Sequence, residues 1–459
     1  MFWQRFRLAA SMRGSPATKT PITGAFCSIL LTFSESASAF GIIYHLVLIA
    51  FCNYCLTTSS LTRFPLIRKG LYAPKMYMFL VSPHDRIASA FELQGTPEIG
   101  VVLPYEDIYI RDRWEDLTSR PWWYRYAPDV DKQVQWWTDV RRFLDIDWFV
   151  VPSFYSRTER SHIFIHHRSD GDYLVNSLTD LQYRIDRPSI GGWNKEGIVE
   201  SARPTNPPDT FEEIDRRVRL PEEVGKEMDL DGRDDFMKAL SQGPAKNLYP
   251  IAHVSSPLWN CYGLWGFEGL MIRIAERRDL VQYACRRLLL RQLHNIGRCA
   301  AMGAKAIWIE ECMTDMIHPS IFSELNVPLV AQMAEAIRSY GMKSIYYFCG
   351  NPAGKIDALL ATNTDALAFE EGKKGFRVDI DDMVDYLSGR RVLLGNIDAV
   401  GVLQNGSDDQ LRVEVQRQLQ AGRRNKSRFI LSVGSPVTPL TPPQRVKLYC
   451  DIAHQLSAK

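Results

Sequence analysis

The chain has 459 residues, of which 46% are hydrophobic and 24% charged, with a formal net charge of +2. This is ordinary soluble-protein composition, enough for one large domain or two medium ones. The near-neutral balance, with no Lys/Arg-rich block, excludes the electrostatic footprint of a nucleic-acid binder.

In chain order, residues 1–75 stand apart. Arg5, Arg7 and Arg13 precede the apolar runs "AFCSILLTF", "SASAF" and "GIIYHLVLIAFCNYCL". Three readings are open: a signal peptide cleaved after Ala39, a short anchor over residues 40–56, or upstream sequence ahead of a functional start near Met76 or Met78. The apolar run from residue 40 is short for a membrane span and contains His45. Nine cysteines are scattered along the chain, and the CxxC pair Cys52–Cys55 has no second half. They read as reduced thiols of a cytoplasmic protein, with the N-terminal extension leaving an exported or membrane-bound form open.

From residue 76 onward, short apolar runs alternate with helical patterns, the signature of a parallel α/β fold. The candidate strands are 99–105, 148–154, 248–254, 306–311, 344–349, 366–370, 391–397 and 428–434. Eight strands predict a (β/α)8 TIM barrel. The segment 109–148 carries Trp114, Trp122, Trp123, Trp136, Trp137 and Trp148, which suits a lid, a subunit contact in a homodimer, or a local aromatic core. Residues 155–245 read as an insertion between strands 2 and 3 that could cover the barrel mouth. It opens with a hairpin, "SHIFIHHRSDGDYLVN", turning at Ser-Asp-Gly-Asp. Later helices carry end signals. Ser407 and Gln410 make a capping box, with Gly422 after the last turn; Asp379 opens a helix closed by Gly389; Thr441 caps a helix with Pro442 in its first turn.

Barrels of this type place their chemistry at the C-terminal strand ends. Those ends carry Arg111 and Arg113 after strand one, His253 on strand three, and Glu310, Glu311 and Cys312 on strand four. Strand five ends in "SIYYFCGNPAG", which delivers Cys349 and Asn351 to a turn. Strand six gives Glu370 and Glu371, strand seven Asn396 and Asp398, and strand eight Ser435 and Thr438. A rim of acids with soft sulfur suits a zinc-like ion or polar substrate groups. Of these, Glu310, Glu311 and Asp398 are the candidate catalytic groups. Arg111, Arg113, His253, Asn351, Glu370, Asn396 and Ser435 are the candidate substrate contacts.

The pieces "GAKAIWIEE", "HPSIFSELNVPLVAQMAEAIRSYGMKSIYYFCGNP", "RRVLLGNIDAV" and "RFILSVGSPVTPLTPPQRVKLYCDIA" resemble the uroporphyrinogen decarboxylase superfamily, which includes the corrinoid-linked methyltransferases. The resemblance covers roughly residues 260–455 and implies that superfamily's TIM barrel over residues 76–459. Its methylcobamide:thiol methyltransferase branch binds zinc with a His-x-Cys pair on strand five and a cysteine after the strand-eight glycine. Cys349 matches the first cysteine, while Tyr347 and Ser435 occupy the other two positions. The resemblance therefore implies zinc only through a remodelled set, Cys349 with Glu311 or Cys312. The decarboxylase branch has an arginine-bearing N-terminal motif for porphyrinogen carboxylates, replaced here by "YEDIYIRDRW".

An acidic rim opposes a polycarboxylate and suits a neutral or cationic substrate. The expected activity is corrinoid-dependent methyl transfer from a small methylated or methoxylated compound, the corrinoid being carried by a partner protein. Uroporphyrinogen decarboxylation and a non-catalytic ligand-binding barrel are the alternatives.

Overall fold

The computed structural model describes residues 81–187, 204–220, 230–372 and 375–458. The readings of residues 1–75 and of a start near Met76 lie outside these residues. So does part of the insertion.

Eleven strands are described. The barrel uses β1 (Gly100–Val101), β2 (Trp148–Val150), β6 (Tyr249–Ser255), β7 (Ala306–Glu311), β8 (Lys343–Phe348), β9 (Ala366–Phe369), β10 (Val392–Leu394) and β11 (Phe429–Leu431). These eight lie parallel in the order β1-β11-β10-β9-β8-β7-β6-β2, so the predicted eight-stranded barrel is present. Val, Ile, Leu and aromatic residues fill both faces of these strands, as a sheet covered on both sides requires.

The ring closes at a side chain. Asp147, buried just before β2, accepts the amide of Val101 on β1 at 2.7 Å and donates its own amide to the Val101 carbonyl at 2.8 Å. The same carboxylate takes Arg86 at 3.1 Å and lies 3.4 Å from His454, so helix Pro83–Ala90 is fastened to this acid and helix Pro443–Ser457 lies beside it. Gly100 is needed here because a Cβ would meet Ile87 at 2.5 Å.

The insertion begins with an antiparallel sheet of β3 (Ile163–Arg168), β4 (Gly171–Asn176) and β5 (Leu181–Arg184), which contains the expected hairpin. Three helices of the insertion are described, the short Arg157–Arg160 and two longer ones. Helix Phe211–Arg217 lies against the long helix Arg278–Ala301, where Tyr283 donates to Asp215 at 2.8 Å, and helix Asp235–Gln242 packs on Val130–Arg141. The tryptophan-rich segment joins the main core, Trp148 meeting Trp308 of β7 edge-on at 5.9 Å. Trp114, Trp136, Trp137 and Trp148 are buried, and Trp114 meets the Trp122 ring edge-on at 5.0 Å.

Helix Asp408–Arg424 has the expected Ser407/Gln410 capping box. Gly422 lies within its last turn, not beyond it, and its lack of a side chain serves packing, since a Cβ there would meet the Phe429 ring at 2.5 Å. The final helix starts one residue late: Pro442 is its N-cap, and the Thr441 hydroxyl pairs with Thr438 at 2.8 Å. Helix Ile380–Leu387 is capped by Asp379 as expected and ends through Ser388 and Gly389, both with positive φ.

Candidate active site at the barrel mouth

Inward-pointing positions alternate along each strand, so Trp308 and Glu310 of β7 and Tyr347 at the end of β8 share the barrel interior with the residue following that strand, Cys349. Tyr105, after β1, completes this interior. It is a non-glycine residue in the left-handed region (φ 55, ψ 39), a conformation that persists only where the surroundings enforce it. Its ring stands edge-on to Trp308 (5.8 Å), Tyr347 (5.8 Å) and His253 (5.6 Å). Its hydroxyl accepts the Trp308 indole N–H at 3.2 Å and donates to Glu310 Oε1 at 3.2 Å.

From Glu310 a run of polar groups crosses the strand ends. The Cys312 thiol donates to Glu310 Oε1 at 3.6 Å, and the β7–β8 register sets Cys312 beside Cys349. The Cys349 thiol donates to Glu370 Oε2 at 3.1 Å. Ser435 lies 3.4 Å from Glu370 Oε1 and donates to Glu371 Oε2 at 2.7 Å. Residues 105, 310, 312, 349, 370, 371 and 435, distant in sequence, thus form one continuous strip.

Two glycines set its geometry. Gly350 has φ +106 and a Cβ there would meet Asp315 Cγ at 2.5 Å, while one at Gly434 would meet the Glu371 amide at 2.4 Å.

The electrostatics follow from enclosure. Burial pushes the Glu310 carboxyl above its ordinary value, against the opposing hydrogen bonds from Tyr105, Cys312 and Trp259. Burial pushes His253 down to about 4, so its imidazole is neutral at physiological pH. The Cys349 thiol beside it, burial, and the carboxylates Glu310 and Glu311 push the Cys312 thiol well up.

Of the sequence-selected residues, Glu310, Cys349, Glu370 and Ser435 meet in this strip, and His253 flanks it through Tyr105. Others are employed elsewhere. Glu311 points out of the barrel, where Asn326 Nδ2 donates to it at 2.6 Å and the Tyr346 hydroxyl at 2.8 Å. The β-strand alternation that turns Glu310 inward turns its neighbour outward. Asp398 caps the turn Ala399–Gln404 by accepting the amides of Val400 (2.8 Å) and Gly401 (2.9 Å). Asn396 donates to the Val378 carbonyl at 2.8 Å and accepts from Gln418. Asn351 is exposed and closes its own turn by accepting the Ala353 amide at 3.0 Å. Arg111 pairs with Asp112 at 2.7 Å and Arg113 with Asp116 at 2.8 Å.

Sequence reasoning passed over Tyr105 and treated Tyr347 only as a replaced ligand. The period-two spacing Trp308/Glu310 and Tyr347/Cys349 was the signal that placed aromatics beneath each polar rim group.

Zinc is the ion the resemblance implies at this rim. Of the two sets expected to hold it, Cys349 with Glu311 does not come together, since Glu311 is turned to the helix layer, while Cys312 lies beside Cys349. Among the described residues no three His, Cys, Asp or Glu side chains are arranged to hold a metal ion. The residues present do not fit a zinc centre of the expected kind. Among the described residues, no helix is long and apolar enough to cross a membrane.

Comparison with known proteins agrees with this architecture. The family model described as uroporphyrinogen decarboxylase (URO-D) matches residues 198–456, more than half of the chain. A uroporphyrinogen decarboxylase of Thermodesulfovibrio yellowstonii is 29% identical over 153 residues, covering 33% of this chain and 42% of that protein. The methylcobamide:CoM methyltransferase MtbA of Methanosarcina mazei is 22% identical over 139 residues, covering 30% of this chain and 38% of that one. The chain thus matches less than half the length of either relative. A solved methyltransferase structure from Methanosarcina mazei superposes with a TM-score of 0.54 at 13% identity, covering 82% of this chain and 98% of the other, a likeness of fold.

Proposed function

The chain belongs to the uroporphyrinogen decarboxylase family, and from that premise we propose that its barrel mouth performs methyl transfer from a small methylated or methoxylated compound to a corrinoid carried by a partner protein. The observation that carries this reading is the composition of the rim strip. The groups described around Glu310 and Glu370 are hydroxyl, indole and thiol groups, while Arg111 and Arg113 pair with their own neighbours Asp112 and Asp116. A porphyrinogen bearing many carboxylates asks for cations at the mouth. A neutral or cationic methyl donor does not.

Glu310 is the general acid in this reading. Burial favours its protonated form, and it stands where Tyr105 and Cys312 fix its orientation. As the bond between the methyl carbon and its heteroatom breaks, Glu310 hands its proton to the departing heteroatom. The corrinoid supplies the nucleophile that takes the methyl group. Tyr105 holds the carboxyl, the neutral His253 and the aromatic wall exclude water, and Cys349 forms the pocket wall. Positioned acid catalysis of this kind contributes about 10²- to 10⁴-fold in rate.

The test is anaerobic absorbance of cob(I)alamin mixed with the full chain and a panel of methoxylated and methylated donors. Methylation by the wild type, reduced about 100-fold or more by Glu310→Gln, is the expected result. Conversion of uroporphyrinogen with no methyl transfer would overturn the proposal in favour of decarboxylation. Tight binding of a donor without turnover would overturn it in favour of a ligand-binding barrel.

A further inference from the structure

Cys312 and Cys349 are the residues just beyond the ends of neighbouring parallel strands. The register pairs Glu311 with Phe348, and the Cys349 amide continues that ladder to the Glu311 carbonyl at 2.9 Å. Carried one residue on, the register sets Cys312 opposite Cys349. Neighbouring strands lie about 4.8 Å apart, inside the roughly 4.4–6.8 Å Cα separation that a disulfide spans. Both thiols are directed at carboxylates of the rim, Cys312 at Glu310 and Cys349 at Glu370, and both are only partly buried.

A second thiol pair serves as an internal contrast. Cys261 and Cys285 lie with their sulfurs 3.5 Å apart, yet both are fully enclosed under the helix layer. Proximity is shared by the two pairs. Access to an oxidant distinguishes them.

We propose that Cys312 and Cys349 form an oxidative modification site, closing to an intramolecular disulfide across the mouth when the protein meets a peroxide. In the first step the Cys349 sulfur, as thiolate, attacks the peroxide, displacing hydroxide and becoming a sulfenic acid, while Cys312 stays the protonated partner. The second thiol then attacks that sulfur and expels water, so two thiols and one hydrogen peroxide give one disulfide and two waters. The cross-link removes the S–H donors now directed at Glu310 and Glu370 and ties the ends of β7 and β8 together. The mouth is thereby redox-sensitive, whichever reaction the barrel performs.

The test treats the native full chain with stoichiometric hydrogen peroxide, blocks remaining thiols by alkylation and maps the peptides by mass spectrometry. The expected result is a Cys312–Cys349 linked peptide, reversed by dithiothreitol, with Cys261 and Cys285 still reduced after denaturation. Cys312→Ser and Cys349→Ser should each abolish the link. The proposal is overturned if both rim thiols remain alkylatable, if Cys349 proceeds to sulfinic or sulfonic acid unlinked, or if the linked peptide joins Cys261 and Cys285. Mapping the wild type decides the matter even if a serine variant folds poorly.

Discussion

Replacing Glu311 with glutamine should stabilise the protein above neutral pH and leave it unchanged in mild acid. This carboxyl is fully buried, and burial pushes it to about 7 from an ordinary 4.5. In the unfolded chain it ionises near 4.5, so between these values the folded state keeps a proton that the unfolded state has released. The group's contribution to stability is complete below about pH 4.5 and is lost as pH rises through about 7. Over that interval, at about 1.4 kcal/mol per pH unit, the loss amounts to about 3 kcal/mol.

Glutamine keeps an oxygen for the Asn326 and Tyr346 donors. It also places an N–H group where Glu311 Oε1 has no hydrogen-bond partner of good geometry among the described residues, and where Thr314 Oγ1 and Asn326 Oδ1 are likewise unmatched. The assay is urea unfolding of wild type and Glu311→Gln at about pH 4 and about pH 8.5, with equal slopes required before midpoints are compared. The difference should be near zero in acid and approach 3 kcal/mol in favour of the variant in alkali. A variant destabilised at both pH values would refute the reasoning. It would mean that the carboxylate is ionised and held by charge-assisted hydrogen bonds stronger than its burial cost.

Three further outcomes follow from the same geometry. Gly350→Ala forces a Cβ into Asp315 at a positive φ, and should cost about 1–3 kcal/mol in chemical denaturation while loosening the Cys349 turn. Asp147→Ala leaves the Val101 amide without its side-chain partner and Arg86 with Glu98 alone, and about 1–3 kcal/mol of stability should be lost on the same measurement. Tyr105→Phe removes a hydrogen bond that favours the ionised form of Glu310, so the carboxyl rises further. If Glu310 acts as an acid, the alkaline limb of the rate–pH profile moves upward, and an unmoved limb would separate Tyr105 from the chemistry.

The barrel was legible because its signals are local. Each barrel strand lies in or beside an apolar run of five to seven residues, and several helices carry their own caps, as with Ser407 and Gln410. The capping error at Thr441 also has a local cause: its hydroxyl had a second partner, Thr438, which no spacing rule reveals. The site was legible only to the level of strand ends. That β7 ends in two glutamates is plain from the sequence, but which one enters the barrel depends on a register fixed by β6 and β8. Asn396 and Asp398 looked like rim ligands because short polar residues after a strand serve binding and turn-capping equally well. Here both are consumed by backbone and neighbouring amides. Tyr105 was hidden because its placement depends on a left-handed backbone at a residue whose type does not announce one.

The Asp147 closure gives the barrel one dissimilar joint. Seven junctions in the ring are ladders of strand against strand, each tolerant of the loss of any single contact. The eighth is a rivet: one carboxylate grips the opening strand and the first described helix, with His454 of the last helix 3.4 Å away. Strain applied to that first helix is therefore felt directly at the seam between β1 and β2. Amide deuterium uptake under native conditions should start there, with Val101 exchanging well before the amides of β7 and β8.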